Sequence, residues 1–128
     1  MTKAEVEKYI AENYGAEAEH PWADSPDNTV FRHRGNRKWF ALTMNVGREK
    51  LGLSGEGSIG LMNLKCDPIL IGSFVGQPGF FPAWHMNKSH WISVALDGSA
   101  GDEDIKWLLD VSYDLTKPKR KYSKKETG

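Results

Sequence analysis

The stretch TVFRHRGNRKWFALTMNV, residues 29–46, predicts the centre of an antiparallel β-sheet. Residues 29–33 and 38–46 are rich in β-branched, aromatic and aliphatic side chains, and the RGNR sequence between them predicts the turn of a hairpin. Successive side chains of a strand point to opposite sides of the sheet. We therefore expect the second strand to present two faces, with Lys38, Phe40, Leu42, Met44 and Val46 toward the helices and Trp39, Ala41, Thr43 and Asn45 away from them.

Capping signals predict the helices. Thr2 and Glu5 match a capping box at the start of a helix over residues 3–14, which Gly15 can end in a left-handed conformation. An Asp-Pro pair predicts the start of a short helix over residues 68–75. The acidic residues 102–104 predict the first turn of the last helix, because carboxylates are favoured at the positive end of the helix dipole. That helix is expected to bury a stripe of residues at helical spacing, which are Ile105, Leu108, Leu109, Ser112 and Leu115.

The remaining segments complete an α+β domain. Residues 59–65 predict a strand, and residues 81–86 and 90–96 predict a second hairpin around an Asn-Lys-Ser turn. Residues 16–28 lack periodicity and are expected to form a loop, and residues 47–60 are expected to form a mobile loop or a ragged sheet edge. The simplest packing is one antiparallel sheet backed on one face by the N- and C-terminal helices, with a short extra helix between strands.

Length and charge divide the chain in two. It has 128 residues, and we expect a single domain over residues 1–116 and a basic flexible tail over residues 117–128. The 17 basic and 17 acidic residues balance, but the tail alone carries six basic residues against one acidic residue. Cys66 is the only cysteine, which excludes an intramolecular disulfide and a cysteine-based metal cluster. With no apolar run of membrane-spanning length and no signal-peptide pattern, we expect a soluble, cytoplasmic protein without a membrane partner.

Two tryptophans predicted on the open side of the sheet form the first candidate site. Trp39 and Trp91 alternate with the helix-facing residues of their strands. Indoles stack on bases while cations hold phosphates, so this pattern predicts a nucleic-acid surface. It suits a protein partner as well, because Trp and Arg are common interface anchors. Alternatively, residues 16–28 or 47–60 cover the tryptophans as a second small core. The candidate cations are Arg32, Arg34, Arg37, Lys38 and Lys88.

The connection of the second predicted hairpin is the other candidate site. His85 and His90 flank Asn87 and Lys88, so two imidazoles could meet there as acid and base or as metal ligands. A zinc site needs three or four protein ligands, and no third ligand has a suitable spacing. We therefore predict neither a metal nor a cofactor. A histidine packed on the strand face of Ile92 is the simpler interpretation of His90, and Asn87 is a typical turn residue.

Several segments together resemble the MmcQ/YjbR family of small bacterial proteins. The most specific is HMNKSHW at residues 85–91 with Ser112-Tyr113 downstream, and LKCDP at residues 64–68 supports it. The resemblance spans residues 3–116. It implies a frataxin/CyaY-like fold and the DNA-binding, double-wing description that the family usually carries. A biochemical activity is not generally assigned to members of the family.

These patterns predict a non-enzymatic binding protein that contacts DNA or another nucleic acid through a basic, tryptophan-containing sheet face. Two alternatives stay open. One is a protein-interaction adaptor that uses the same face, and the other is a small-molecule binder or enzyme centred on His85 and His90. Cys66 precedes a helix start, where a thiolate is stabilised, but no base adjoins it in the sequence, so nucleophilic catalysis is not predicted.

Overall fold

The computed structural model describes residues 1–119, which form three α-helices and six strands. The helices are α1 (Lys3–Tyr14), α2 (Pro68–Phe74) and α3 (Asp102–Thr116). The strands are β1 (Glu17–Glu19), β2 (Thr29–Arg32), β3 (Trp39–Gly47), β4 (Ser58–Lys65), β5 (Phe80–Pro82) and β6 (Trp91–Ala95). The strand pairs are antiparallel in the order β1-β2-β3-β4-β6-β5, which confirms the predicted α+β class with an antiparallel sheet. Of the predicted basic tail, residues 120–128 lie outside the described residues.

The helix ends follow the capping signals. The Thr2 hydroxyl accepts a hydrogen bond from the Glu5 amide (3.1 Å), and the Glu5 carboxylate accepts one from the Thr2 amide (2.8 Å). Gly15 ends α1 with a φ of 59°, in the left-handed region. The Asp67 carboxylate accepts a hydrogen bond from the Leu70 amide at 3.0 Å and so begins α2. No helix within residues 1–119 combines the length and apolar composition required to cross a membrane.

The larger core lies between the sheet and two helices, α1 and α3, which pack on the same side. The buried side chains that the helices contribute are Val6, Ile10, Ile105, Leu108 and Leu109. The sheet meets them with Phe40, Ala41, Met62, Leu64, Ile92 and Val94. The predicted stripe of α3 is wrong at one position, because Leu115 is 49% exposed. Thr116, one helical turn after Ser112, is buried in its place.

β3 contains a bulge at Phe40 that reverses part of its predicted facing. The register of β2 against β3 skips this residue, because Arg32 pairs with Trp39 and the preceding residue of β2 pairs with Ala41. An extra residue in one strand disrupts the alternation of the side chains that follow it. Several residues of β3 therefore lie on the opposite side from the one predicted. Toward the helices lie Ala41 and Thr43, and away from them lie Leu42, Met44 and Val46.

Two segments that were predicted as loops contain regular structure. Residues 16–28 include the edge strand β1, whose glutamates pair with arginines of the neighbouring hairpin. The arginines of these ion pairs lie outside residues 16–28, so the composition of that segment alone does not predict a strand. Residues 47–60 include a 3₁₀ turn over Arg48–Leu51 and the start of β4. The Arg48 amide closes this segment by donating to the Gly57 carbonyl at 2.9 Å.

Candidate functional site

The sheet face opposite α1 and α3 carries a second, smaller core. Its buried side chains are Val30, Leu42, Met44, Val46 and Leu61. Partly buried side chains that pack on them are Trp22, Trp39, Leu51 and Trp84. Trp22 comes from residues 16–28 and Leu51 from residues 47–60. The alternative in which these segments form a second small core is therefore confirmed for Trp39, which nevertheless keeps part of its surface accessible.

A groove of about 460 Å³ lies where the turn after β2, the ends of β4 and α3, and the start of β6 meet. We call it the basic groove. Its cations are Arg37, Lys38, Lys65 and Lys119, and its other lining residues are Trp39, Trp91, Leu115 and Thr116. Arg37, Lys38 and Lys65 belong to residues 1–116, which carry 11 basic and 16 acidic residues, so the grouping of these three cations is a local feature of the fold rather than a consequence of composition.

Two cations lie over the indole rings of this sheet face. Lys65 Nζ is 5.5 Å from the ring centroid of Trp91, and the register of β4 against β6 pairs these two residues directly. Arg32 Cζ is 5.4 Å from the ring centroid of Trp39, its partner across β2 and β3. The negative face of an indole attracts a cation in this position. Each indole is thus held on the sheet with a positive charge beside it.

Among residues 1–119, carboxylates neutralise the groove cation Arg37 and its neighbour Arg32 but not the lysines of the groove. Glu19 contacts Arg32 Nε at 2.6 Å and Arg37 Nη2 at 2.9 Å, and Glu17 also pairs with Arg37. A bound anion must compete with these carboxylates for either guanidinium group. The groove cations that form no ion pair among residues 1–119 are Lys38, Lys65 and Lys119.

The predicted site residues are only partly brought together. The basic groove contains Arg37, Lys38, Trp39 and Trp91. Arg32 contacts the Trp39 ring and Glu19, whereas Arg34 points its Nε to the Gly15 carbonyl at 2.7 Å. Lys88 lines a separate cavity of about 270 Å³ with Lys50. The nucleic-acid surface predicted from sequence is therefore smaller than the full set of cations assigned to it.

Two groove cations, Lys65 and Lys119, were not among the predicted site residues. Lys65 lies in the groove because the register of β4 against β6 places it opposite Trp91. The sequence predicts a strand over residues 59–65, which ends at Lys65, but it does not show which residue of the neighbouring strand Lys65 faces. Lys119 follows the end of α3 and reaches the groove through the tertiary packing of that helix.

The two histidines of the connection over residues 83–90 differ in backbone conformation and in surroundings. His85 is exposed, has a φ of 57° and packs edge-on to Trp84 with ring centroids 4.4 Å apart. His90 is exposed and precedes β6, so the prediction that it packs on the strand face of Ile92 is wrong. The side-chain oxygen of Asn87 accepts a hydrogen bond at 2.8 Å from the amide two residues further on, which confirms its role in the turn.

Two other titratable groups are buried. Burial raises the pKa of the Cys66 thiol to about 11, and the charge of Asp67 adds to the shift, so the thiol stays protonated and weakly nucleophilic near neutral pH. Burial also lowers the pKa of His33, whose Nε2 lies 2.8 Å from the Thr116 hydroxyl. Within residues 1–119, no group of three or more His, Cys, Asp or Glu side chains is placed to hold a metal ion.

A second cavity, of about 420 Å³, shares Trp39 with the basic groove. We call it the indole cavity. Its aromatic walls are Trp22, Trp39 and Trp84, its aliphatic lining is Leu42, Met44 and Val46, and its polar lining includes Ser25, Asn28 and His85. The sequence predicted Trp39 and His85 as site residues but placed them at different sites. In the structure both line this cavity, and the bulge at Phe40 adds Leu42 and Met44 to its lining because it turns them to the same face as Trp39.

The fold and these two clefts define a small α+β protein with an open, six-stranded antiparallel sheet and a tryptophan-rich face. The chain belongs to the YjbR family, because the model of that family matches residues 11–115. This match confirms the resemblance to the MmcQ/YjbR family that the sequence motifs indicated. It is 38% identical over 117 residues to the uncharacterized protein YyaQ of Bacillus subtilis (strain 168), covering 91% of this chain and 99% of that protein.

Solved structures of similar proteins share the fold. A crystal structure of a protein from Pseudomonas syringae has a TM-score of 0.88 and 41% sequence identity, covering 91% of this chain and 100% of that chain. A crystal structure of a Deinococcus radiodurans protein with a DUF419 domain has a TM-score of 0.69 and 26% identity, covering 98% of this chain and 86% of that chain. These similarities establish the family and the fold.

Proposed function

We propose that this protein binds single-stranded nucleic acid in the basic groove. The observation that carries the proposal is the placement of three lysines, which form no ion pair among residues 1–119, around the half-buried indoles of Trp39 and Trp91. Lysines neutralise backbone phosphates, and indole faces stack on unpaired bases. Basic residues of the segment 117–128, which begins at the groove, add sequence-independent phosphate contacts.

The composition of the helices gives little support to sequence-specific contacts with base edges in duplex DNA. A recognition helix presents basic and amide side chains to the major groove. The first turn of α3 is acidic instead, with Asp102, Glu103 and Asp104. We favour a single strand because stacking on an indole needs an unpaired base. The double-wing description and the frataxin/CyaY-like fold, both implied by the family resemblance, stay predictions.

Fluorescence anisotropy of a labelled oligothymidylate of about 20 nucleotides, compared with a duplex of the same length, tests this function. The full chain should bind the single strand more tightly, with an affinity that falls steeply as salt rises. Lys38→Ala and Lys65→Ala should each weaken binding several-fold. Trp91→Ala should weaken it about tenfold or more, because base stacking contributes roughly 1–3 kcal/mol. Lys8→Ala, which removes an exposed cation of α1, is the matched control.

A second full-length variant separates the groove from the tail. In it the basic residues of the segment 117–128 other than Lys119, which lines the groove, are replaced by serine. If the groove binds the strand, this variant should keep a measurable affinity that Trp91→Ala abolishes. If instead the serine variant loses all binding, and Lys38→Ala and Trp91→Ala bind like the unchanged protein, the attraction is a charge effect of the tail and the proposal is wrong.

A protein partner in the same groove is the second candidate. It is favoured by Leu115, which is 49% exposed and lines the groove with Trp91 and Arg37. Aromatic and arginine side chains are typical anchors at the centre of an interface. Binding of such a partner should depend less on salt than binding of an oligonucleotide. The absence of enzymatic activity and the cytoplasmic location stay predictions.

A further inference from the structure

The indole cavity has the composition of a site for an aromatic molecule. Three indoles line it, with aliphatic side chains of β3 beside them. Its volume of about 420 Å³ falls in the range of small-molecule pockets, which is roughly 300–1,000 Å³. Aromatic rings gain about 0.5–1.5 kcal/mol from stacked or edge-to-face contacts beyond the burial of their area. Walls made of three indoles therefore favour a planar ring over an aliphatic chain of the same size.

The polar side chains of the cavity are available to a ligand. Ser25, Asn28 and His85 line it, and within residues 1–119 none of these side chains forms a hydrogen bond. Their hydroxyl, amide and imidazole groups can both donate and accept. Of the residues that the structure describes, no Asp, Glu, Lys or Arg lines the cavity. The cavity thus offers hydrogen bonds without a fixed charge, which suits an uncharged ligand with polar atoms on its edge.

The walls of the cavity are held in place by backbone and side-chain hydrogen bonds. The Ser25 amide donates to the Trp22 carbonyl at 3.1 Å, and the Asn28 amide donates to the Ser25 carbonyl at 3.1 Å. On the opposite wall, the Trp84 carbonyl accepts from Asn63 Nδ2 at 2.8 Å. His85 follows with a positive φ of 57°, a conformation that residues other than glycine adopt rarely and mostly where the surroundings require it. The cavity is therefore largely pre-formed.

We propose that the indole cavity binds an uncharged, planar heteroaromatic molecule of about two fused rings. Trp22 and Trp84 contact the ring, and Asn28 and His85 hydrogen-bond to polar atoms on its edge. This site goes beyond the proposed function, because it needs neither the lysines of the basic groove nor a phosphate. A nucleotide is disfavoured, since no Lys or Arg within residues 1–119 lines the cavity to pair with its phosphate.

The test uses quinazolin-4-one as the probe, because it is uncharged, has two fused rings and carries an amide on one edge. Binding to the full chain is followed by ¹H–¹⁵N NMR, in which the five tryptophan indole signals report on the site separately. We expect shifts of the Trp22, Trp39 and Trp84 signals and a dissociation constant on the order of 1 mM or tighter, as for a fragment-sized ligand. ε-Caprolactam has the amide without the aromatic ring and should bind at least about tenfold more weakly.

Variants separate this site from the groove. Trp84→Ala and Trp22→Ala should each weaken quinazolin-4-one binding about tenfold, and Asn28→Ala should weaken it several-fold without the loss of a large side chain. Trp107→Ala is the matched control, because Trp107 lies half-exposed on α3 and packs against Phe74, away from the cavity. Trp39 is not varied, since it lines both sites.

The outcomes are distinct for the two proposals. If quinazolin-4-one binds to Lys38→Ala as it does to the unchanged protein, and oligothymidylate binds to Asn28→Ala normally, the sites are independent. The absence of any shift up to about 5 mM, several times the expected dissociation constant, overturns the indole cavity proposal whether or not the oligonucleotide binds. Shifts that map to Trp107 or Trp91, or equal binding of ε-caprolactam, overturn it as well.

Discussion

Trp22 packs edge-on against Trp39, with ring centroids 5.8 Å apart and ring planes at 88°. This contact joins the segment after β1 to the central hairpin of the sheet. It covers one part of the Trp39 side chain, and the remainder lines both the indole cavity and the basic groove. Trp39 is therefore the residue through which the smaller core, the cavity and the groove meet.

We expect Trp22→Ala to lower the free energy of unfolding by about 1–3 kcal/mol. The substitution removes a partly buried indole and its edge-to-face contact with Trp39, and it leaves part of the smaller core open to water. Urea denaturation measures the loss. A change below about 0.5 kcal/mol, the size typical of an unconstrained surface residue, would show that the segment does not stabilise the sheet face.

Glu19→Gln should weaken the fold slightly and strengthen oligonucleotide binding. Glu19 holds Arg32 and Arg37, so its loss removes about 1 kcal/mol or less of partly exposed ion pairing. It also frees the Arg32 guanidinium and leaves Arg37 paired with Glu17 alone, and each additional phosphate contact raises the salt dependence of binding by about one unit. Glu12→Gln on α1 changes the net charge equally and is the control. Equal effects of both variants would argue for a general charge effect.

Ser112→Ala should lower the free energy of unfolding by about 2 kcal/mol or more. The buried Ser112 hydroxyl donates to the Phe40 carbonyl at 2.5 Å and accepts a hydrogen bond from the Lys65 amide at 2.9 Å. Alanine leaves the Phe40 carbonyl at the bulge of β3 and the Lys65 amide at the end of β4 without this partner, and buried polar groups without partners are costly. Ser73→Ala, at an exposed site of α2, should change stability by less than about 0.5 kcal/mol in the same denaturation assay.

Stability should decrease in mild acid in part through His33. Burial holds the pKa of the His33 imidazole below its usual range in the folded protein. The unfolded chain therefore binds the proton first, and the stability contributed by the neutral imidazole is lost as pH falls below about 6.5 toward the folded pKa. Urea denaturation at several pH values should show a smaller decrease for His33→Gln, which cannot titrate. The same pH dependence in both proteins would contradict a role for His33.

Much of the fold was predictable because its signals are local. Thr2, Glu5 and Gly15 define the ends of α1 through contacts a few residues apart, and Asp67 does the same for α2. The candidate site was predicted less completely. Arg37 and Lys38 precede Trp39 directly in the chain, so they could be named as its neighbours. Lys65, Lys119 and Trp22 reach the same face only through strand pairing and chain folding.

Local sequence patterns are enough to predict the α+β class, the helix ends, the central hairpin and two tryptophans away from the helices, because capping, turn formation and side-chain alternation depend on neighbours in the chain. Which other residues meet those tryptophans depends on the packing of separate elements. The bulge at Phe40 moved Leu42 and Met44 to the outer face, and ion pairs from Glu19 held an edge strand whose own composition does not show one. Both effects depend on contacts between separate elements, which local periodicity does not contain.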